Sequence, residues 1–178
     1  MIRNSYVVFD RDGTLIEYIP YLKDSINVNL SNGAKSLIKN LLNNNNKIFL
    51  HTNQSGVERG FFDLNTVKEC NDRLIDLLGI KRNIFEKICI ATELKDSINS
   101  YRKPSPKFGL EIQKEFSIKP SNMYYIGDNL TDLETAYNLG CKAFGIINKG
   151  IEKNVMGNQF KFPVFESLNE LNQFIYGI

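Results

Sequence analysis

Short, continuously apolar runs alternate along this chain with longer stretches in which apolar residues recur every three or four positions. The runs at Tyr6–Phe9, Lys47–His51, Lys87–Ala91, Met123–Ile126 and Ala143–Ile147 predict five buried strands. The periodic stretches predict helices. Ser31–Leu42 places Ala34, Leu37, Ile38, Leu41 and Leu42 on one face, behind Ser31 or Asn32 as a cap. Asp63–Leu78 is capped by Asp63 and closed by Gly79. Pro104–Phe116 carries proline in its first turn, where a missing N–H costs nothing. Leu130–Leu139 ends at Gly140, and Ser167–Ile175 closes the chain. Strands apolar on both faces and separated by helices predict a doubly wound α/β fold, a mostly parallel sheet covered on each side. With no internal repeat and no linker, residues 1–178 read as a single domain, and Lys149–Pro163, the least patterned stretch, as a surface loop.

Composition narrows the class. The length supports one well-formed core, and 42% hydrophobic with 24% charged residues is ordinary for a globular protein. A net charge of +2 gives no bulk footprint for nucleic acid, and no run reaches the roughly 20 apolar residues of a membrane span. The 22 asparagines, four of them at 43–46, read as compositional bias. Cys70, Cys89 and Cys141 are widely spaced and form no paired motif, which fits buried thiols in a reducing compartment. A cytoplasmic protein, as a monomer or small homo-oligomer without nucleic-acid or membrane partners, is the expectation.

The chemistry gathers where parallel sheets bind ligands, beyond the carboxyl ends of the strands. Asp10 and Asp12 follow the first strand, Thr52 and Asn53 the second, and Asp128 the fourth. Residues two apart in extended chain point the same way, so Asp10 and Asp12 leave the sheet together, and Asp132 lies one helical turn past Asp128. Carboxylates that close repel one another unless a cation joins them. Mg²⁺, with its preference for oxygen ligands, fits; Asp10, Asp128 and a backbone carbonyl near Asp12 are the expected ligands. Thr52 and Asn53 suit phosphoryl oxygens, Arg102 and Lys103 suit phosphate or the carboxylates, and Arg59 is a further candidate phosphate ligand. His51, the single histidine, is expected to pack or hydrogen-bond beside Thr52. Serine-hydrolase and dinucleotide-binding motifs are absent.

The stretches DRDGTL, TNQSG, RKP and GDNLTD, in this order across residues 10–132, resemble the motifs of the haloacid dehalogenase superfamily of phosphatases. FDRDGTLI, TNQSGVERGFF and YRKPSP are most similar to the D-glycero-D-manno-heptose-1,7-bisphosphate phosphatases; histidinol-phosphate and polynucleotide 3′-phosphatases share much of the pattern. The resemblance implies that Asp10 is the nucleophile, that Asp12 protonates the leaving oxygen and then activates water, and that Thr52 and Lys103 stabilise the phosphoryl group in transit. It implies Mg²⁺ on Asp128 and substrate contacts from Tyr18, Ile19, Pro20 and Tyr21, from Thr52, Asn53, Gln54 and Ser55, and from Arg102. The substrate class is a small phosphorylated sugar. The stretch before Arg102 lacks the paired cysteines and histidine of the zinc loop those phosphatases carry, so no zinc is expected. Asn129 also replaces a lysine often found there. The spacing between motifs leaves no room for a large cap domain, and the aromatics Tyr18, Tyr21, Phe61 and Phe62 are candidate walls. A phospho-accepting receiver module is the competing class; it has no need of the acid two residues after Asp10.

Overall fold

The computed structural model describes residues 1–95, 97–147 and 160–177. The apolar runs become β1 (Tyr6–Phe9), β2 (Lys47–Asn53), β3 (Lys87–Ala91), β4 (Met123–Gly127) and β5 (Lys142–Ile146), joined by a short β6 (Val164–Phe165). All pairings are parallel, in the order β3-β2-β1-β4-β5-β6. The periodic stretches become α1 (Ala34–Asn43), α2 (Leu64–Leu78), α3 (Lys107–Glu115), α4 (Leu130–Asn138) and α5 (Leu168–Tyr176).

Period-two alternation in the strands divides the core into two layers. Val7, Phe9, Ile48, Leu50 and Ile126 face Leu37, Ile38 and Leu41 of α1, Cys70 and Leu74 of α2, and Leu171 and Ile175 of α5. Val8, Phe49, Met123 and Tyr125 face Phe108 and Ile112 of α3 and Leu133 and Ala136 of α4. Because both faces are covered, the strands read as unbroken apolar runs. Each fully buried leucine contributes roughly 2 kcal/mol, enough in sum to hold the strand ends in register.

Strand order reverses between β1 and β4, which makes their carboxyl ends the switch point of the sheet. Phe9 is in register with Leu50 on one side and Ile126 on the other. The next residue, Asp10, donates its N–H to the Ile126 carbonyl at 2.9 Å. The sheet therefore brings residues 10 and 128 to the same crevice. The connections around it are loops: residues 10–33 hold isolated bridges and a 3-10 turn at Ser25–Asn27, and residues 54–63 neither helix nor strand.

Several boundaries move for tertiary reasons. α1 begins at Ala34 behind Gly33 rather than behind Ser31 or Asn32. Gly33 has φ +88°, and a Cβ there would strike the backbone of Leu168 and Asn169; close approach of the α5 start fixes the cap. Pro104 lies outside α3, which begins at Lys107, because residues 102–105 form a turn (Ser105 N–H to the Arg102 carbonyl, 2.9 Å) with the Lys103 amide bonded to Asn53 Oδ1 at 2.9 Å. β2 extends through Thr52 and Asn53, so these two stand in the strand rather than after it. Of the surface loop expected at 149–163, residues 149–159 lie outside the described residues. Phe160 and Phe162 pack against the second core layer, and the two-residue β6 that follows is too short to leave a pattern in the sequence.

Candidate active site

At the switch point, carboxylate oxygens of Asp10, Asp128 and Asp132 lie within 4.8 Å of one another, all three residues buried. Asp10 leaves the end of β1, Asp128 the end of β4, and Asp132 stands in the first turn of α4. Asn129 and Asp132 cap that helix reciprocally: Asn129 Oδ1 accepts from the Thr131 N–H and Asp132 Oδ2 from the Asn129 N–H at 3.0 Å. Gly127 makes room for this, since a Cβ would collide with the Asp132 carboxyl.

The buried ammonium of Lys103 bridges Asp10 Oδ1 at 2.6 Å and Asp132 Oδ1 at 2.5 Å. Burial opposes its charge, but the two carboxylates outweigh that and lift its pKa above the usual lysine value. Asp10 is pushed well above the ordinary carboxylate range, first by burial; Lys103 pulls it down, while Asp132, Asp128 and Asp12 add to the rise. One ammonium does not neutralise three clustered carboxylates, so the donor set fits a divalent cation with hard oxygen ligands. With Asp132 engaged by Lys103 and Asn129, Asp10 and Asp128 are the side chains suited to hold it; Asp128 Oδ1 also accepts from Thr14 Oγ1 at 3.5 Å.

The Asp12 carboxylate is not in this trio. Its Oδ2 accepts from Thr52 Oγ1 at 3.2 Å, Gln54 Nε2 at 2.7 Å and Arg11 Nε at 3.0 Å, and its Oδ1 from Arg11 Nη2 at 3.1 Å. Thr52 and Gln54, read from sequence as phosphoryl and substrate ligands, thus bond directly to Asp12. Asn53 exchanges two hydrogen bonds with the backbone of Lys103, at 2.9 and 3.2 Å, and so fixes the lysine's approach.

A cleft of about 260 Å³ opens over Asp10, Asp12, Lys103, Asp128 and Asp132, with Tyr18, Asn53 and Arg102 on its walls. A second, of about 240 Å³, adjoins it through Asp12, Tyr18, Asn53 and Arg102 and is lined by Ile19, Tyr21, Gln54, Ser55 and Phe62. At its rim, the Tyr21 and Phe61 rings meet edge to face, centroids 4.8 Å apart, joining the loop after β1 to the loop after β2. A larger concavity, about 780 Å³, lies beyond Arg102, Lys103 and Thr131 on the α3 side and holds none of the acidic trio's aspartates. Pro20 and Arg59 are exposed and line none of these clefts.

His51 is buried. Its Nε2 lies 2.8 Å from the Tyr101 carbonyl, which only accepts, so Nε2 carries the proton and Nδ1 accepts from the Tyr125 hydroxyl at 3.2 Å. Burial first, and then Lys103, lower its pKa to about 3, against the weaker opposing effect of the Tyr101 carbonyl. It steadies the residue before Arg102 and Lys103 as a neutral ring.

Asp132, Arg11 and Asn71 complete these contacts; the sequence places Asp132 with the converging carboxylates but gives it no role, and does not single out Arg11 or Asn71. The Asn129-x-x-Asp132 capping pattern was a usable signal for the first. Asn71, inside an amphipathic helix, carried none.

The haloacid dehalogenase-like hydrolase family model matches residues 17–146. D-glycero-beta-D-manno-heptose-1,7-bisphosphate 7-phosphatase of Photorhabdus laumondii is 29% identical over 97% of this chain and 95% of its own length. The corresponding alpha-anomer 7-phosphatase of Campylobacter jejuni is 24% identical over 90% and 92%. The crystal structure of D,D-heptose 1,7-bisphosphate phosphatase from B. bronchiseptica, complexed with magnesium and phosphate, superposes with a TM-score of 0.86 over 97% of this chain and 98% of that one, at 23% identity. The parallel α/β fold, the acidic crevice at its switch point and the family match agree: this chain belongs to the haloacid dehalogenase-like hydrolases.

Proposed function

We propose that the protein is a Mg²⁺-dependent phosphatase that removes the 7-phosphate of a D-glycero-D-manno-heptose 1,7-bisphosphate, in nucleotide-heptose synthesis for a surface polysaccharide. The observation that carries the reading is the pairing of Asp10, one oxygen on Lys103, with a second carboxylate two residues away in the same cleft. Relatives named for this activity over nearly the whole chain supply the substrate class.

In this reading a free oxygen of Asp10 attacks phosphorus while the bond from phosphorus to the sugar oxygen breaks, and Asp12 gives that oxygen its proton. Asp12 then takes a proton from water, the water oxygen attacks phosphorus, and the bond to Asp10 breaks, releasing phosphate and restoring the Asp10 carboxylate and the Asp12 acid. Lys103 balances charge on Asp10, and Thr52 lies close enough to Asp12 to orient it. Asp10 and Asp128, with the backbone carbonyl near Asp12, would hold magnesium, which would supply positive charge to the phosphoryl oxygens. The guanidinium of Arg102, where the clefts adjoin, suits a second anionic group of the substrate. No zinc belongs to this reading, since Cys70 is buried in α2, Cys89 in β3 and Cys141 between α4 and β5. The enzyme acts on a small phosphorylated sugar in the cytoplasm, as a monomer or small homo-oligomer, without nucleic acid or membrane. Among the described residues no helix is long and apolar enough to cross a membrane.

The test is phosphate release with Mg²⁺ from both anomers of the heptose bisphosphate, hexose bisphosphates, histidinol phosphate and a 3′-phosphorylated oligonucleotide. Turnover of a heptose bisphosphate with loss of its 7-phosphate is expected, and Asp12→Asn abolishes it. Absence of turnover on every sugar bisphosphate removes the substrate assignment, and a long-lived phospho-adduct on the wild-type protein points to the receiver class instead.

A further inference from the structure

Among the described residues, Arg11 is the bulkiest fully buried side chain. A guanidinium taken out of water is tolerated only with partners for its charge and its N–H groups. One edge of Arg11 lies along Asp12, with Nε and Nη2 each 3.0 Å from Oδ2 and Nη2 also 3.1 Å from Oδ1. The opposite end is tied to α2, with Nη1 2.9 Å from Asn71 Oδ1 and 3.5 Å from the Val67 carbonyl. The fork is thus fixed to a helix 60 residues away in sequence, and a planar fork holds a carboxylate in a plane as a lysine ammonium does not.

The two oxygens of Asp12 are treated unequally. Oδ2 receives three donors, from Arg11, Thr52 and Gln54, whereas Oδ1 receives one. Asp12 stays partly open to solvent, its side chain 17% exposed, and borders the cleft over Asp10. Oδ1 is therefore the oxygen with a lone pair to spare.

We propose that Arg11, anchored by Asn71, is a positioning residue for the reaction: it sets the plane of the Asp12 carboxylate so that Oδ1 exchanges the proton with the leaving oxygen. The proposal rests on the reading of Asp12 as the acid. As the bond from phosphorus to the leaving oxygen breaks and the bond to Asp10 forms, the proton on Oδ1 passes to the departing oxygen.

The dependence on the leaving group separates this role from a merely structural one. A p-nitrophenolate needs no proton to depart, whereas an alkoxide does. Single-turnover disappearance of p-nitrophenyl phosphate and of an alkyl phosphate is measured for wild type, Arg11→Lys, Asn71→Ala and Asp12→Asn. Arg11→Lys and Asn71→Ala are expected to stay within about threefold of wild type on the aryl ester and to lose on the order of 30-fold on the alkyl ester, a part of the ~10²–10⁴ a general acid supplies. If Arg11→Lys does not fold, Asn71→Ala carries the test alone, because it loosens the fork and leaves its charge on Asp12. Equal losses on both esters, or none, while Asp12→Asn shows the alkyl-selective loss, overturn the positioning role and leave the acid in place. Absence of that selective loss in Asp12→Asn removes the acid itself, and the proposal with it.

Discussion

Nζ of Lys103 stands 2.5 Å from Oδ1 of Asp132, a residue 29 positions further along the chain. Asp132 shares the lysine with the proposed nucleophile and caps α4 with its other oxygen. Asp132→Asn breaks a buried ion pair and leaves the ammonium to Asp10 alone. Activity is expected to fall about 10²-fold, the scale of losing one preorganised electrostatic group. Stability is expected to fall by roughly 3 kcal/mol, the range for removing one partner of a buried pair. Steady-state kinetics and urea denaturation check the two effects separately.

Gly127 touches the same carboxylate from the end of β4. A methyl group there collides with the Asp132 side chain, so Gly127→Ala forces Asp132 off both Lys103 and its capping bond. A loss of about 1–3 kcal/mol is expected from overpacking, with activity reduced in step with that of Asp132→Asn. A variant with wild-type stability and turnover would show that the crevice tolerates repacking.

Removal of the cation should be visible without any substrate. Burial and neighbouring carboxylates disfavour the charge on Asp10, so a divalent ion that binds only the folded protein stabilises it. At about 100 times its dissociation constant the gain is ~2.7 kcal/mol, a rise in Tm of roughly 5–10 °C for a chain of this size. Calorimetry with Mg²⁺ and with EDTA measures it, and Asp128→Asn is expected to abolish most of the shift.

His51 predicts a pH dependence of stability. Its pKa falls from 6.5 to about 3 on folding. The unfolded chain therefore takes up the proton first as pH drops. The contribution is present in full above about pH 6.5 and is lost as pH falls toward about 3, by up to ~1.4 kcal/mol per pH unit. His51→Gln can donate to the Tyr101 carbonyl and accept from the Tyr125 hydroxyl without titrating. Urea denaturation from pH 7 to 4.5 should give a shallower decline for this variant than for wild type, and parallel curves would contradict a neutral buried ring.

Much of the fold was legible because its signals are local. Asp63 and Gly79 bound α2 as their residue types imply, Ser167 caps α5, and the apolar run at Tyr6–Phe9 is β1 without adjustment. The signals failed where a distant group competed with the local rule. Pro104 is a good first-turn residue, yet the chain there is held as a turn by Asn53 so that Lys103 reaches Asp10. Ser31 is a good cap, yet its N–H goes to the Leu15 carbonyl and the helix waits for Gly33.

The sequence by itself determined that Asp10, Asp12 and Asp128 follow buried strands, because apolar runs and their polar exits are properties of adjacent residues. Tertiary structure alone decided how the charges are shared: Asp132 with Lys103, and Asp12 with Arg11 rather than with the other carboxylates. Periodicity specifies which face and which end of an element a side chain occupies. Which oxygen meets which nitrogen across 29 or 60 positions depends on strand register and helix docking, which are fixed only when the two core layers close on the sheet.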